Sequence, residues 1–220
     1  MTRHRPSFAV GLALFGTVLA GCSSTTVNGS PMPTPGSPQS SSAGSISSGS
    51  TTQATPGGDV PTVQSPLPAK VIDGSPCDTA LTTADLSKFI GAPDPGKPGD
   101  TPLGPRCFWS NASGNGATTT VFYQTKSNGL SDAYQNVKPT AVHWEELEAV
   151  QGYPAVGYRA AGDVDTAGVD HCQVVVGISN SLAYSVGITL SELAKSKHVN
   201  PCTAGRNIAD QVLTNIKARG

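Results

Sequence analysis

The sequence reads as an α+β domain, an antiparallel sheet with helices packed on one face and stapled by two disulfides, preceded by a long segment that does not fold. Three observations carry that reading. Segments rich in β-branched residues follow one another without the strand–helix–strand alternation that a parallel sheet requires. The chain closes on an amphipathic helix opened by Asn200-Pro201. Of its 5 cysteines, all but Cys22 lie beyond residue 70, an even set suited to pairing.

Taken from the N-terminus, Arg3 and Arg5 precede an apolar run from Phe8 to Ala20, followed by Gly21-Cys22. A spanning helix needs about 20 apolar residues. This run is shorter and ends on small residues, so residues 1–21 are expected to be an export signal. Leu19-Ala20-Gly21-Cys22 resembles the lipobox of bacterial lipoproteins, which implies a diacylglyceryl group on the Cys22 thiol and cleavage just before it. Two acyl chains hold a protein stably where one holds it marginally. The expected location is the extracytoplasmic face of the cell membrane, with palmitate among the attached chains.

Only 13% of the 220 residues are charged, and the shortage is local. Between Ser23 and Ala69 the sole charge is Asp59, while Ser, Thr, Gly and Pro dominate, a composition unable to bury enough surface to fold. Residues 22–69 are therefore expected to form a tether of roughly 35 to 40 Å r.m.s. span, and residues 70–220 a single globular domain. That domain holds every acid except Asp59 and every base except Arg3 and Arg5, a small acidic excess that supplies no basic field for nucleic acid.

Within the domain, Thr83 can cap a short helix carrying Leu86, Phe89 and Ile90 and stopping at Gly91. A Pro/Gly-rich loop, 92–105, leads to a hairpin of 106–109 and 118–123. Leu130, Ala133, Tyr134 and Val137 recur at helical spacing behind Ser131, with Pro139 as the stop. A strand over 141–150 precedes a turn at Gly152-Tyr153-Pro154-Ala155 and a polar loop containing Asp163 and Asp165. The runs 171–179 and 182–190 form a second hairpin across Asn180-Ser181. In the last helix Ala204, Ile208, Val212 and Ile216 share one stripe, and Lys217 and Arg219 suit the negative end of the helix dipole.

Cys77, Cys107, Cys172 and Cys202 allow three connectivities. Pairing Cys77 with Cys107 and Cys172 with Cys202 is favoured, because the partners are then near in sequence and each bond joins a helix start to a strand. Such loops of about 30 residues stabilise a fold by roughly 3 to 4 kcal/mol each in the chain-entropy account. No two cysteines have C-x-x-C spacing, which argues against a metal site, and no cofactor is expected.

No catalytic motif stands out. His143 and His198 lack a neighbouring nucleophile motif, Glu145, Glu146 and Glu148 read as a solvated strand face, and Asp163, Asp165 and Asp170 lack the pattern of a calcium loop. The residues Asn111-Ala112-Ser113 form an N-glycosylation sequon only by coincidence if the host is a bacterium, as the lipobox implies. Trp109, Phe122, Tyr123 and Trp144 read as core bulk before pocket lining.

Pro76-Cys77, Arg106-Cys107-Phe108-Trp109, Gly152-Tyr153-Pro154-Ala155-Val156, His171-Cys172-Gln173-Val174 and Asn200-Pro201-Cys202-Thr203-Ala204 together resemble the actinobacterial lipoprotein family known as domain of unknown function 3558. The likeness covers 75–217 and implies a surface lipoprotein, with no activity to carry over. The expectation is a non-enzymatic envelope module that binds an envelope protein or a small amphiphile. The competing readings are a wall or lipid hydrolase using His143 and a carboxylate among Glu145 to Glu148, and a structural lipoprotein with no ligand.

Overall fold

A computed structural model describes residues 60–162 and 170–220, all within the compact unit Thr51–Gly220. The expected export signal, Cys22, most of the expected tether, and Asp163 and Asp165 lie outside the described residues.

Seven strands make one antiparallel sheet: β1 (Lys97–Thr101), β2 (Gly104–Ser110), β3 (Thr118–Gln124), β4 (Ala141–Val150), β5 (Tyr153–Ala160), β6 (His171–Gly177) and β7 (Ala183–Thr189). Their spatial order is β1-β2-β3-β7-β6-β5-β4. After β3 the chain crosses to the far edge, lays down β4, and returns strand by strand until β7 closes against β3. The last strand in sequence thus becomes the central one in space.

The helices are α1 (Pro76–Thr79), α2 (Thr83–Ile90), α3 (Leu130–Asp132), α4 (Glu192–Ser196) and α5 (Pro201–Lys217). Asn200 caps α5 by accepting the Thr203 N–H at 2.9 Å, and Pro201 follows where a missing N–H costs nothing. Its buried stripe, Ile208, Val212, Leu213 and Ile216, packs in one core with Val174 and Val176 of β6, Tyr184, Val186 and Ile188 of β7, and Leu86 and Ile90 of α2. The expected α+β architecture, helices on a sheet face with two disulfides, is what the structure shows. A smaller cluster on the reverse face sets Leu130, Ala133 and Tyr134 against Val156, Val175 and Ala183.

Several local expectations are corrected. Thr82, not Thr83, caps α2: its hydroxyl accepts the Asp85 N–H while the Asp85 carboxylate accepts the Thr82 N–H, a reciprocal box that needs the acid three residues on. The loop expected over 92–105 contains β1, which exists by pairing with β2. Ser131 is not the cap of a regular helix, since α3 passes into a π turn, Ala133–Val137, and a 3-10 turn, Lys138–Thr140, that includes Pro139. Gln151 and Gly152, both at positive φ, make the turn expected one residue later, and Tyr153-Pro154-Ala155 already belong to β5. Pro154 is tolerated there because the β4–β5 register is irregular between Leu147 and Val150.

Packing also starts earlier than Lys70. Val63 is buried, its N–H donates to Asn180 Oδ1, and the Leu67 N–H donates to the Ile178 carbonyl at 2.8 Å.

Candidate functional site

Strand β7 reads Ala183-Tyr184-Ser185-Val186-Gly187-Ile188-Thr189. Its large residues, Tyr184, Val186 and Ile188, face the core, so the alternation of a strand sends Ala183, Ser185, Gly187 and Thr189 to the other face. Across the ladder Ser185 lies beside Phe122 and Val175, and Gly187 beside Thr120 and Gln173. Small residues in the central strand between larger ones on both neighbours leave a furrow. Its volume is about 250 Å³, with Ser185 and Gln124 deep in it and Phe122, Tyr158, Gln173 and His171 as walls. Leu103 and Ala160 complete the lining.

The floor is a polar bridge. Ser185 Oγ accepts one Nε2–H from Gln124 at 3.1 Å and another from Gln173 at 2.9 Å. Gln173 reaches Ser185 by crossing over Gly187, where a Cβ would stand 2.7 Å from Gln173 Oε1. Glycine at 187 therefore gives Gln173 its path and keeps the furrow open. Beyond it His171 Nδ1 lies 3.3 Å from Thr189 Oγ1.

Aromatic rings brace one wall. Tyr158 stacks on Trp144 at 6.3 Å, and Trp144 meets Tyr134 edge-on at 5.1 Å. Lys138 Nζ stands 4.7 Å from the Tyr134 ring and 5.3 Å from the Trp144 ring, and 3.5 Å from Glu146. Burial, reinforced by the Glu146 charge, pushes the Tyr134 hydroxyl up to about 12, so it stays protonated at neutral pH.

The four domain cysteines pair as favoured, Cys77 with Cys107 and Cys172 with Cys202, joining α1 to β2 and α5 to β6. The three β4 carboxylates serve different partners. His143 Nε2 lies 3.4 Å from Glu145, Glu146 faces Lys138, and the exposed Glu148 faces Arg206. Cys202 Sγ completes a cluster with His143 and Glu145, but it is held in its disulfide and has no thiolate to offer a metal. His198 sits at positive φ just before α5, and Asp170 forms an ion pair with Lys195 at 2.8 Å. The Asn111 amide donates to the Ile90 carbonyl and accepts from the Ser113 N–H, so it locks a turn.

The aromatic residues divide. Trp109 and Tyr123 are core, as expected, while Phe122 turns outward to the furrow and Trp144 packs behind its wall. Sequence reasoning missed Gln124, Gln173, Ser185 and Gly187. The signal was present as one face of β7 composed wholly of small side chains.

Fold and site together define a disulfide-stapled α+β domain with a small, partly polar furrow on the outer face of its sheet. The chain belongs to the family described as "Protein of unknown function (DUF3558)", whose model matches residues 17–215. No curated protein and no solved structure matches the chain.

Proposed function

We propose that this protein is a lipid-anchored binding module on the extracytoplasmic face of an actinobacterial membrane, and that its furrow receives a small amphiphile of the envelope. The furrow carries this reading: a concave, half-apolar site with a few convergent polar groups is the usual form of a small-ligand site. Support for the anchor comes from the lipobox-like Leu19-Ala20-Gly21-Cys22 and the Ser/Thr/Gly/Pro-rich stretch after it. Diacylation of Cys22 would hold the domain at the membrane, and the spacer would let it sample the surrounding wall.

Native mass spectrometry of the protein after incubation with an envelope lipid extract from its host tests the reading. A reproducible added mass is expected, and Gly187→Val, which displaces Gln173 and fills the furrow, should abolish it. A bare mass for the wild-type protein would overturn the small-ligand reading and direct the search to protein partners.

A further inference from the structure

We infer that the furrow recognises a neutral, hydroxyl-rich ring, such as a single sugar residue, either free or as the head of a glycolipid. This rests on the reading of the furrow as a ligand site. Among the described residues its lining includes no carboxylate, ammonium or guanidinium group. An anion such as a phosphate or carboxylate would meet no fixed positive charge among the described lining residues, only the His171 imidazole, and leaving water without a countercharge is unfavourable.

A purely hydrocarbon ligand fits no better. Gln124 and Gln173 each commit one amide N–H to Ser185, and among the described residues neither amide makes another side-chain hydrogen bond. Each therefore has an acceptor oxygen and a second N–H to offer, and Gln124 is 92% buried by its 8% exposure. Covering these groups with methylenes would strand them. Hydroxyl groups donate and accept at once, so adjacent hydroxyls on a ring match an amide's paired donor and acceptor. The Phe122 and Tyr158 walls offer apolar faces to the C–H side of the same ring. A volume of about 250 Å³ suits one ring rather than a long chain.

The test uses the full chain, 15N-labelled, with Cys22→Ser to leave it unlipidated, and follows its amide resonances. The probes are methyl glycosides of glucose, mannose and galactose, with glucuronate, glucose 6-phosphate and octanol as controls. In a second arm, phosphatidylcholine vesicles carrying diacylglyceryl glycosides of the same sugars are tested for co-sedimentation. At least one neutral glycoside should produce saturable shifts in the side-chain NH2 signals of Gln124 and Gln173 and in the β7 backbone. Gln173→Leu should weaken that binding about tenfold, the scale of one lost hydrogen bond in a desolvated site. Binding to the glycolipid vesicles alone would assign the ring to a lipid head, and binding in both arms to the sugar itself. If a charged sugar or octanol binds the furrow as well as or better than every neutral glycoside, the ligand class is overturned while the furrow stands as a site. If no probe and no component of the lipid extract binds, both readings fall.

Discussion

Asp85 shows how much a single side chain holds here. Its carboxylate accepts the N–H and O–H of Thr82 at 3.0 and 2.7 Å and the Asn215 amide at 3.1 Å, so the start of α2 is joined to the last turns of α5. Burial alone would raise its pKa, but these hydrogen bonds and the Lys88 ammonium outweigh burial and hold the carboxyl below its ordinary value. A carboxyl with a lowered folded pKa binds its proton more readily when unfolded. The stability it contributes is therefore complete above the unfolded value and disappears as pH falls through the folded one. Asp85→Ala should cost about 1 to 2 kcal/mol at pH 7, the scale of a lost cap with its buried partners, and the gap to wild type should narrow in acid. Urea unfolding at pH 7 and pH 3 measures both effects, and an unchanged gap would contradict the assignment. Ser185→Ala tests the furrow floor in the same way. It removes the acceptor shared by Gln124 and Gln173, and a loss of about 1 to 2 kcal/mol is expected from the two stranded donors.

At the scale of elements, the two disulfides each close a separation of 30 residues and fix opposite ends of the helical layer, α1 on β2 and α5 on β6. Replacing either pair with serines should lower unfolding free energy by roughly 3 to 4 kcal/mol in the chain-entropy account, measured as a shift in denaturant midpoint. A shift near zero would mean that packing alone holds these elements. Elements whose own residues specify them were legible in the sequence. Helix α5 repeats its apolar residues at helical period, β6 carries the run Val174-Val175-Val176, and β7 places Tyr184, Val186 and Ile188 at alternate positions. Strand β1 was not legible, because Lys97-Pro98-Gly99-Asp100-Thr101 has no strand preference and is extended only by its edge pairing with β2. Over 130–140 the helical period was readable, but the π and 3-10 turns come from fitting a short crossing onto Val156 and Val175. The furrow escaped notice for a related reason. It is made by what β7 lacks on one face, and which strands flank β7 is a matter of topology, since β3 lies far from it in sequence.

For the whole molecule, the proposed anchor can be tested apart from the fold. Among the described residues no helix is long and apolar enough to cross a membrane. The domain's small acidic excess gives no general attraction to anionic lipid heads. Residues 60–68 are bound to the domain itself: Val63 is buried, and the Tyr153 hydroxyl donates to the Ser65 carbonyl at 2.9 Å. The first described residues therefore run beside the β6–β7 turn that Asn180 occupies, and they join that turn to whatever precedes them in the chain. If Cys22 carries the anchor, its removal should act on location and leave the fold of the described residues untouched. Cys22→Ala is expected to move the protein from the membrane fraction to the culture supernatant, and from the detergent to the aqueous phase of a Triton X-114 partition. Its denaturant midpoint should match that of the wild-type domain. Retention of the variant at the membrane would place the grip elsewhere on the chain, at the apolar run Phe8–Ala20 or on the folded domain.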